Sequence, residues 1–261
     1  MIKIERIECP KELTAEIKNE LTAEFKKDSK TNVWNLEYIK DALFDMSNGK
    51  CVFCECKLGE ESKYMEVEHF HPKSLYPDEV IEWENLLPIC KRCNGKKLNH
   101  DTKAHPIVNP TVNIPKDHIK LNNYRFIGID ELGKETIAVL ALNDQKRLLL
   151  PRVFIGNQIS EILEDLTERT KELRCFREIS TRQKNNIIGR VEKLLDSCQP
   201  CAEYSATCSY SLFGDDNYCE VVQFLKDFNF WSQELENLEV SAKNNLMNKA
   251  KNINRLVAKE A

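Results

Sequence analysis

Apolar positions along the chain change period several times. Residues 2–8 alternate, with Ile2 and Ile4 set against Lys3 and Glu5, the pattern of a possible edge strand. After Pro10 the period lengthens: Leu13, Ile17, Leu21 and Phe25 recur every fourth residue and predict a helix with one buried face. The echo of Glu12–Glu16 in Glu20–Glu24 belongs to that helical period and is no repeat fold. Leu36, Ile39, Leu43 and Phe44 predict a second helix over 35–47, ended by Asn48-Gly49. Farther on, Tyr124–Ile129 and Thr136–Leu142 are rich in β-branched and aromatic residues and read as two strands joined by the turn Asp130–Gly133. Asn143-Asp144 caps a run of helix, and from about residue 156 the pattern stays helical. Ile159, Ile162, Leu163 and Leu166 make one stripe, and Ile187, Ile188, Val191 and Leu194 another. Residues 200–216 read as a loop or hairpin. Val221, Phe224, Leu225 and Phe228 then mark a helix face. Leu235, Leu238, Ala242, Leu246, Ile253 and Leu256 mark a last helix over 232–259, packed on its own domain or lying on a partner.

The whole is expected to be α+β with a mainly helical C-terminal half. It divides into a helical lead-in (1–48), a central module (49–105), an appended hairpin region (106–152) and a helical region (153–261). Charged residues make up 31% of the 261 and no long apolar run occurs, so no membrane span is expected. The opening residues lack a signal peptide's apolar stretch, and the chain reads as cytoplasmic. In that compartment its 11 cysteines read as metal ligands and buried thiols rather than disulfides.

Two cysteine pairs organise the central module: Cys51-x-x-Cys54 and Cys90-x-x-Cys93. Each wraps one short turn so that both sulfurs reach the same ion, the usual construction of a tetrahedral structural zinc site. Between the pairs lie Glu68-His69 and Asn85, and Asn94 follows directly on the last cysteine. Taken singly each is weak. An acid–His pair is commonly a surface feature, Asn85 alone a turn residue, and Asn94 alone a helix cap. Their joint placement around the cage is the stronger signal. A second group, Cys198, Cys201, Cys208 and Cys219, has irregular spacing and no histidine close by; buried thiols compete there with a second metal site.

The stretch Cys51–Cys54, Glu66–Ser74, Trp83–Lys97 resembles the HNH endonucleases, in the form with asparagine as the last motif residue. It is most similar to the HNH subunit of bacterial anti-phage systems, the PtuB-like effector of Septu and of certain retrons. The likeness runs on more faintly through Pro106–Pro110 and Gly133–Asn143. It implies a zinc-stabilised ββα-metal module with Cys51, Cys54, Cys90 and Cys93 as structural zinc ligands. It also implies His69 as general base, Glu68 and Asn94 as ligands of a catalytic Mg²⁺ or Mn²⁺, and Asn85 as an orienting residue. The partners implied are nucleic acid (DNA ahead of RNA or tRNA), an ABC-type, PtuA-like ATPase subunit, and in retrons a reverse transcriptase with its msDNA.

The chemistry suits that expectation. A carboxylate and an amide are hard oxygen donors that fit Mg²⁺, and a neutral histidine beside the cation can deprotonate a water. Lys73, Arg92, Lys96 and Lys97 flank the motif and could meet phosphates. His71, on the same strand face as His69, could be a second ligand, though a phosphate contact or no role is favoured; Cys56 is a spare thiol beside the cage, and His100 and His105 read as exposed loop residues ahead of metal ligands. The net charge of −4 means that affinity for nucleic acid must come from a local basic patch, a partner, or both. The rival reading is a binding module in which the zinc knuckles dock nucleic acid or protein without catalysis.

Overall fold

In the computed structural model, residues 1–59 and 64–247 are described. They form an α+β protein of two compact units: Met1–Ile119 with Phe126–Asn143, and Lys120–Arg125 with the chain from Asp144 onward.

In the first unit residues 1–10 form no strand. Met1, Ile2 and Ile4 are buried, and among the described residues the segment joins no strand; Ile4 N–H donates to the Pro110 carbonyl and the Met1 amine meets Glu55. The alternation therefore marked burial of every second side chain without a strand partner. Helix α1 (Ala15–Lys27) starts five residues after Pro10, because Thr14 rather than Pro10 is the cap and accepts from the Ile17 N–H. Helix α2 (Glu37–Met46) buries Ile39, Leu43 and Met46. Asn48 and Gly49 both take left-handed backbone (φ 53° and 66°) and turn the chain into the first cysteine pair.

Strands β1 (Met65–His69) and β2 (Leu86–Cys90) pair antiparallel, Glu68 opposite Leu87 and His69 opposite Leu86. Helix α3 (Lys91–Lys97) follows at once, with Cys90 as its N-cap. Every residue of β2 is buried, and Trp83, Val80 and Ile81 in the preceding turns add to the same core.

After a short helix α4 (Pro115–His118) comes a hairpin, but not the expected one. Its strands are β3 (Ile119–Asn122) and β4 (Arg125–Gly128), joined through Asn123 and Tyr124. Both turn residues are left-handed (φ 48° and 61°), as a two-residue hairpin turn requires. The stretch read as the second strand is helix α5 (Glu131–Val139). Asp130, read as a turn residue, is its cap and accepts from the Gly133 N–H at 2.8 Å. A capped start with Glu131 in the first turn outweighs the β-branched content of Thr136, Ile137 and Val139.

The second unit is helical. A turn at Gln145–Leu149, capped by Asp144, leads into α6 (Leu150–Arg174), followed by α7 (Thr181–Asp196), α8 (Ser205–Gly214), α9 (Asp216–Asp227) and α10 (Gln233–Asn244). The predicted stripes of α6 and α7 converge on one core with Leu212, Tyr218, Phe224, Leu225, Leu235 and Ala242. Gly156 of α6 lets Tyr124 pack against the helix, since a Cβ there would stand 1.9 Å from the Tyr124 hydroxyl. Residues 205–214, expected as loop, form α8, nearly all of it buried. Leu235 and Ala242 place α10 in the core of its own unit; Ile253 and Leu256 of the predicted helix lie outside the described residues. Among the described residues no helix is long and apolar enough to cross a membrane.

Candidate metal centre and catalytic cluster

Cys51, Cys54, Cys90 and Cys93 are all buried, and their sulfurs lie within 4.8 Å of one another. Cys54 Sγ and Cys90 Sγ are 3.7 Å apart. A tetrahedron with Zn–S bonds of about 2.3 Å has edges of about 3.8 Å, so the four thiols are placed to hold such an ion. Local backbone makes this possible. The first pair sits in a tight knuckle closed by Cys51 N–H to the Cys56 carbonyl and Glu55 N–H to the Cys51 carbonyl, both 2.9 Å. The second pair spans the N-terminus of α3, where Cys90 Sγ accepts from the Cys93 N–H. Arg92 donates to Cys93 Sγ at 3.8 Å and to the carbonyls of Leu140 and Ala141. It ties the cage to the end of α5 and is not free for phosphate.

Strand alternation sends Glu66 and Glu68 toward α3 and His69 to the other side. On the α3 side, Asn94 Nδ2 donates to Glu66 Oε2 at 2.6 Å, and Lys97 Nζ meets Glu68 Oε1 at 2.5 Å. Lys97 also donates to the His69 carbonyl at 3.0 Å, and its side chain is fully buried. Burial pushes the Glu68 carboxyl up, opposed by the charge of Lys97 and its hydrogen bond.

On the other side, His69 Nε2 lies 2.8 Å from the Val80 carbonyl. A carbonyl only accepts, so Nε2 carries the proton and Nδ1 keeps its lone pair. Burial, with the charges of Lys73 and Lys97, pushes this histidine down to about 3, and it is neutral at physiological pH. The indole of Trp34 meets its ring edge-on at 4.6 Å. Asn85 does not touch the imidazole. Its Oδ1 accepts from the His71 N–H at 2.7 Å, and its Nδ2 donates to the carbonyls of His71 and Glu79. It pins the loop that leaves His69 to the loop that carries Val80. His71 lies beyond the strand, its Nδ1 2.6 Å from the Thr102 hydroxyl, which itself donates to the Phe70 carbonyl.

Comparison with known proteins adds the lineage. The chain is 44% identical over 247 residues to a Septu protein PtuB of Bacillus thuringiensis, covering 95% of each chain. It is 29% identical over 199 residues to a Septu protein PtuB of Bacillus mycoides, 61% of this chain and 66% of that one. The chain belongs to the PtuB family of Septu proteins. No family model and no solved structure matches it. The likeness to PtuB covers 95% of the chain and so reaches into the helical unit, beyond Asn143 where the likeness read from the motif ends.

In this PtuB-family chain the cysteine cage is the one group of three or more His, Cys, Asp or Glu side chains, among the described residues, arranged for a metal. The later cysteines do not gather: Cys198 and Cys208 are buried, Cys201 and Cys219 exposed. Burial pushes the Cys198 thiol up to about 11, the behaviour of a core residue. His100 Nε2 donates to the His105 carbonyl at 2.7 Å within its own loop. Sequence reasoning missed three neighbours of the motif: Glu66, Trp34 and Val80. Glu66 was legible as the residue two before Glu68 on the same strand face; the other two reach the site only through tertiary packing.

The Lys97–Glu68 pair makes its own prediction. Removing one partner of a buried pair leaves an uncompensated charge, which costs about 3–5 kcal/mol. Lys97→Met alone should lower the melting temperature by several degrees, and Lys97→Met with Glu68→Gln should recover most of the loss. Thermal melts of the two variants check this; equal losses in both would show that the pair is not the source.

Proposed function

We propose that the chain is a divalent-metal-dependent HNH endonuclease, the effector of a Septu anti-phage system acting with an ABC-type, PtuA-like ATPase. The observation that carries the reading is His69: a buried, neutral imidazole, its proton committed to Val80 and its Nδ1 lone pair available. Around it stand a carboxylate-bearing strand, a second strand and a helix in the order of a ββα-metal module, braced by a four-thiol cage suited to structural zinc.

The donor set fits a hard catalytic cation. Glu68 and Glu66 offer carboxylate oxygens on one strand face. Asn94 spends its amide N–H on Glu66, which leaves its carbonyl oxygen as a neutral donor. Mg²⁺ or Mn²⁺ held there would polarise the phosphodiester and neutralise developing charge. The chain's own residues do the rest. From the other face of β1, at the end of the strand, His69 Nδ1 would accept the proton of the attacking water; the Val80 carbonyl fixes the ring and tautomer, and Asn85 keeps the two loops in register. Lys97 holds the Glu68 carboxylate in place, and its charge and hydrogen bond oppose the upward push of burial.

The test is cleavage by the chain with and without its ATPase partner, on plasmid, phage DNA and tRNA, in Mg²⁺, Mn²⁺ or EDTA. Divalent-dependent cleavage of any of these supports the reading. Binding without cleavage in every assembly would favour a zinc-knuckle binding subunit instead. The choice of substrate, DNA ahead of RNA, follows from the same assay.

A further inference from the structure

Five cations flank the catalytic cluster, and the structure separates them. Lys97 is buried on Glu68, Arg92 is committed to two carbonyls, and Lys103 pairs with Glu79. Lys96 of α3 is exposed, and no described ring or carboxylate holds it. Lys73 differs from all four. It follows His69 by one short turn, is half-buried, and makes no ion pair with a described carboxylate. Its ammonium lies 4.6 Å from the centre of the Trp34 indole, the same ring whose edge contact holds His69. Phe25 of α1 meets Trp34 edge-on at 6.0 Å and backs the indole. One indole therefore carries the base against one part of its surface and a cation on its face.

We infer that Trp34 and Lys73 form the phosphate-docking element of the site: the Lys73 ammonium takes a backbone phosphate beside the scissile bond, and Trp34 fixes both that ammonium and the His69 ring. Three features support it. The ammonium is restrained by a ring face, which limits the freedom lost when a phosphate binds. It makes no ion pair with a described carboxylate, and the charge of Glu68 acts on it without such a contact, so it can meet an anion in a chain of net charge −4. Its charge also acts on both Glu68 and His69, so it lies where the two sides of β1 meet. Lys73 would touch substrate; Trp34 is a positioning residue.

The inference rests on the nuclease reading, and salt dependence tests it separately. Each phosphate contact made by a lysine releases counterions and adds about one to the slope of log affinity against log salt. Binding is measured for the full chain in the assembly that cleaves, in a His69→Ala background so that substrate survives, on duplex DNA and on tRNA. Lys73→Met should weaken binding evenly across sequences and lower the slope by about one, with zinc content and melting temperature unchanged. Lys73→Arg should keep the slope. Trp34→Ala should reproduce the slope loss and, in the otherwise wild-type chain, also lower kcat, whereas Trp34→Phe should restore much of both. A wild-type chain that cuts while Lys73→Met keeps the full slope overturns the docking element and leaves the nuclease reading standing. An assembly that neither binds nor cuts nucleic acid removes both.

Discussion

His69→Ala should lower cleavage by about 10²–10⁴-fold, the usual worth of a positioned general base, while substrate affinity stays near that of the parent chain. The split follows from geometry. The imidazole is buried between Trp34 and the Val80 carbonyl, so it offers the phosphate backbone little surface, and its free Nδ1 matters only when a proton moves. Asn85→Ala should cost less than His69→Ala, since Asn85 works through the loops it joins. Single-turnover rates beside equilibrium binding decide the matter. Cleavage at the parent rate would remove His69 from the mechanism, and matched losses of rate and affinity would point to a binding role.

The same burial fixes the sign of a pH effect. The His69 pKa falls from 6.5 to about 3 in the fold, so between those values the unfolded chain binds a proton that the native chain refuses. Its contribution to stability is complete above about 6.5 and is lost as pH falls toward 3. The base function proposed for His69 should persist over that window, because the folded histidine stays neutral. Denaturant melts at pH 7 and pH 5 should show the wild type losing stability on acidification, and His69→Ala losing less.

The cage was legible because its information is local: two four-residue turns carry four sulfurs, and spacing alone brings each pair together. The helical stripes of α1, α2, α6 and α7 were legible for a similar reason, since a period of 3.6 records one buried face. α8 left no such record. Its small residues, Ser205 to Ser209, are buried almost all round, and a helix enclosed on every side has no stripe to read. α5 was hidden by Thr136, Ile137 and Val139, whose strand preference gives way to the Asp130 cap. Around the candidate cluster the motif names Glu68, His69, Asn85 and Asn94, but not what holds them. Trp34 stands 35 positions before His69, and Val80 comes from a loop between the strands; both contacts exist only after the chain has folded. In the sequence Lys97 is one of four cations beside the motif that could meet phosphates. The register of α3 on β1 instead buries it on Glu68.

Cys90→Ser should release the zinc and unfold the first unit. Cys90 is both the last residue of β2 and the cap of α3, and its sulfur faces Cys54 across the cage. A hydroxyl cannot replace the thiolate, and three remaining sulfurs bind zinc far less tightly. The strands and helix so joined are five, five and seven residues long, too little structure to stand without a metal clip. Loss of the ion should therefore appear as loss of fold, with His69 and Glu68 scattered and activity gone. The core of the second unit contains none of the four cysteines, so its helices should keep their far-ultraviolet signal. Metal analysis should find about one zinc per parent chain and close to none in Cys90→Ser, and hydrogen exchange should show lost protection confined to the first unit. A folded, zinc-loaded Cys90→Ser chain would sink the four-thiol site. Two zincs in the parent would instead return attention to Cys198 and Cys208, where the buried thiols stand in a separate core.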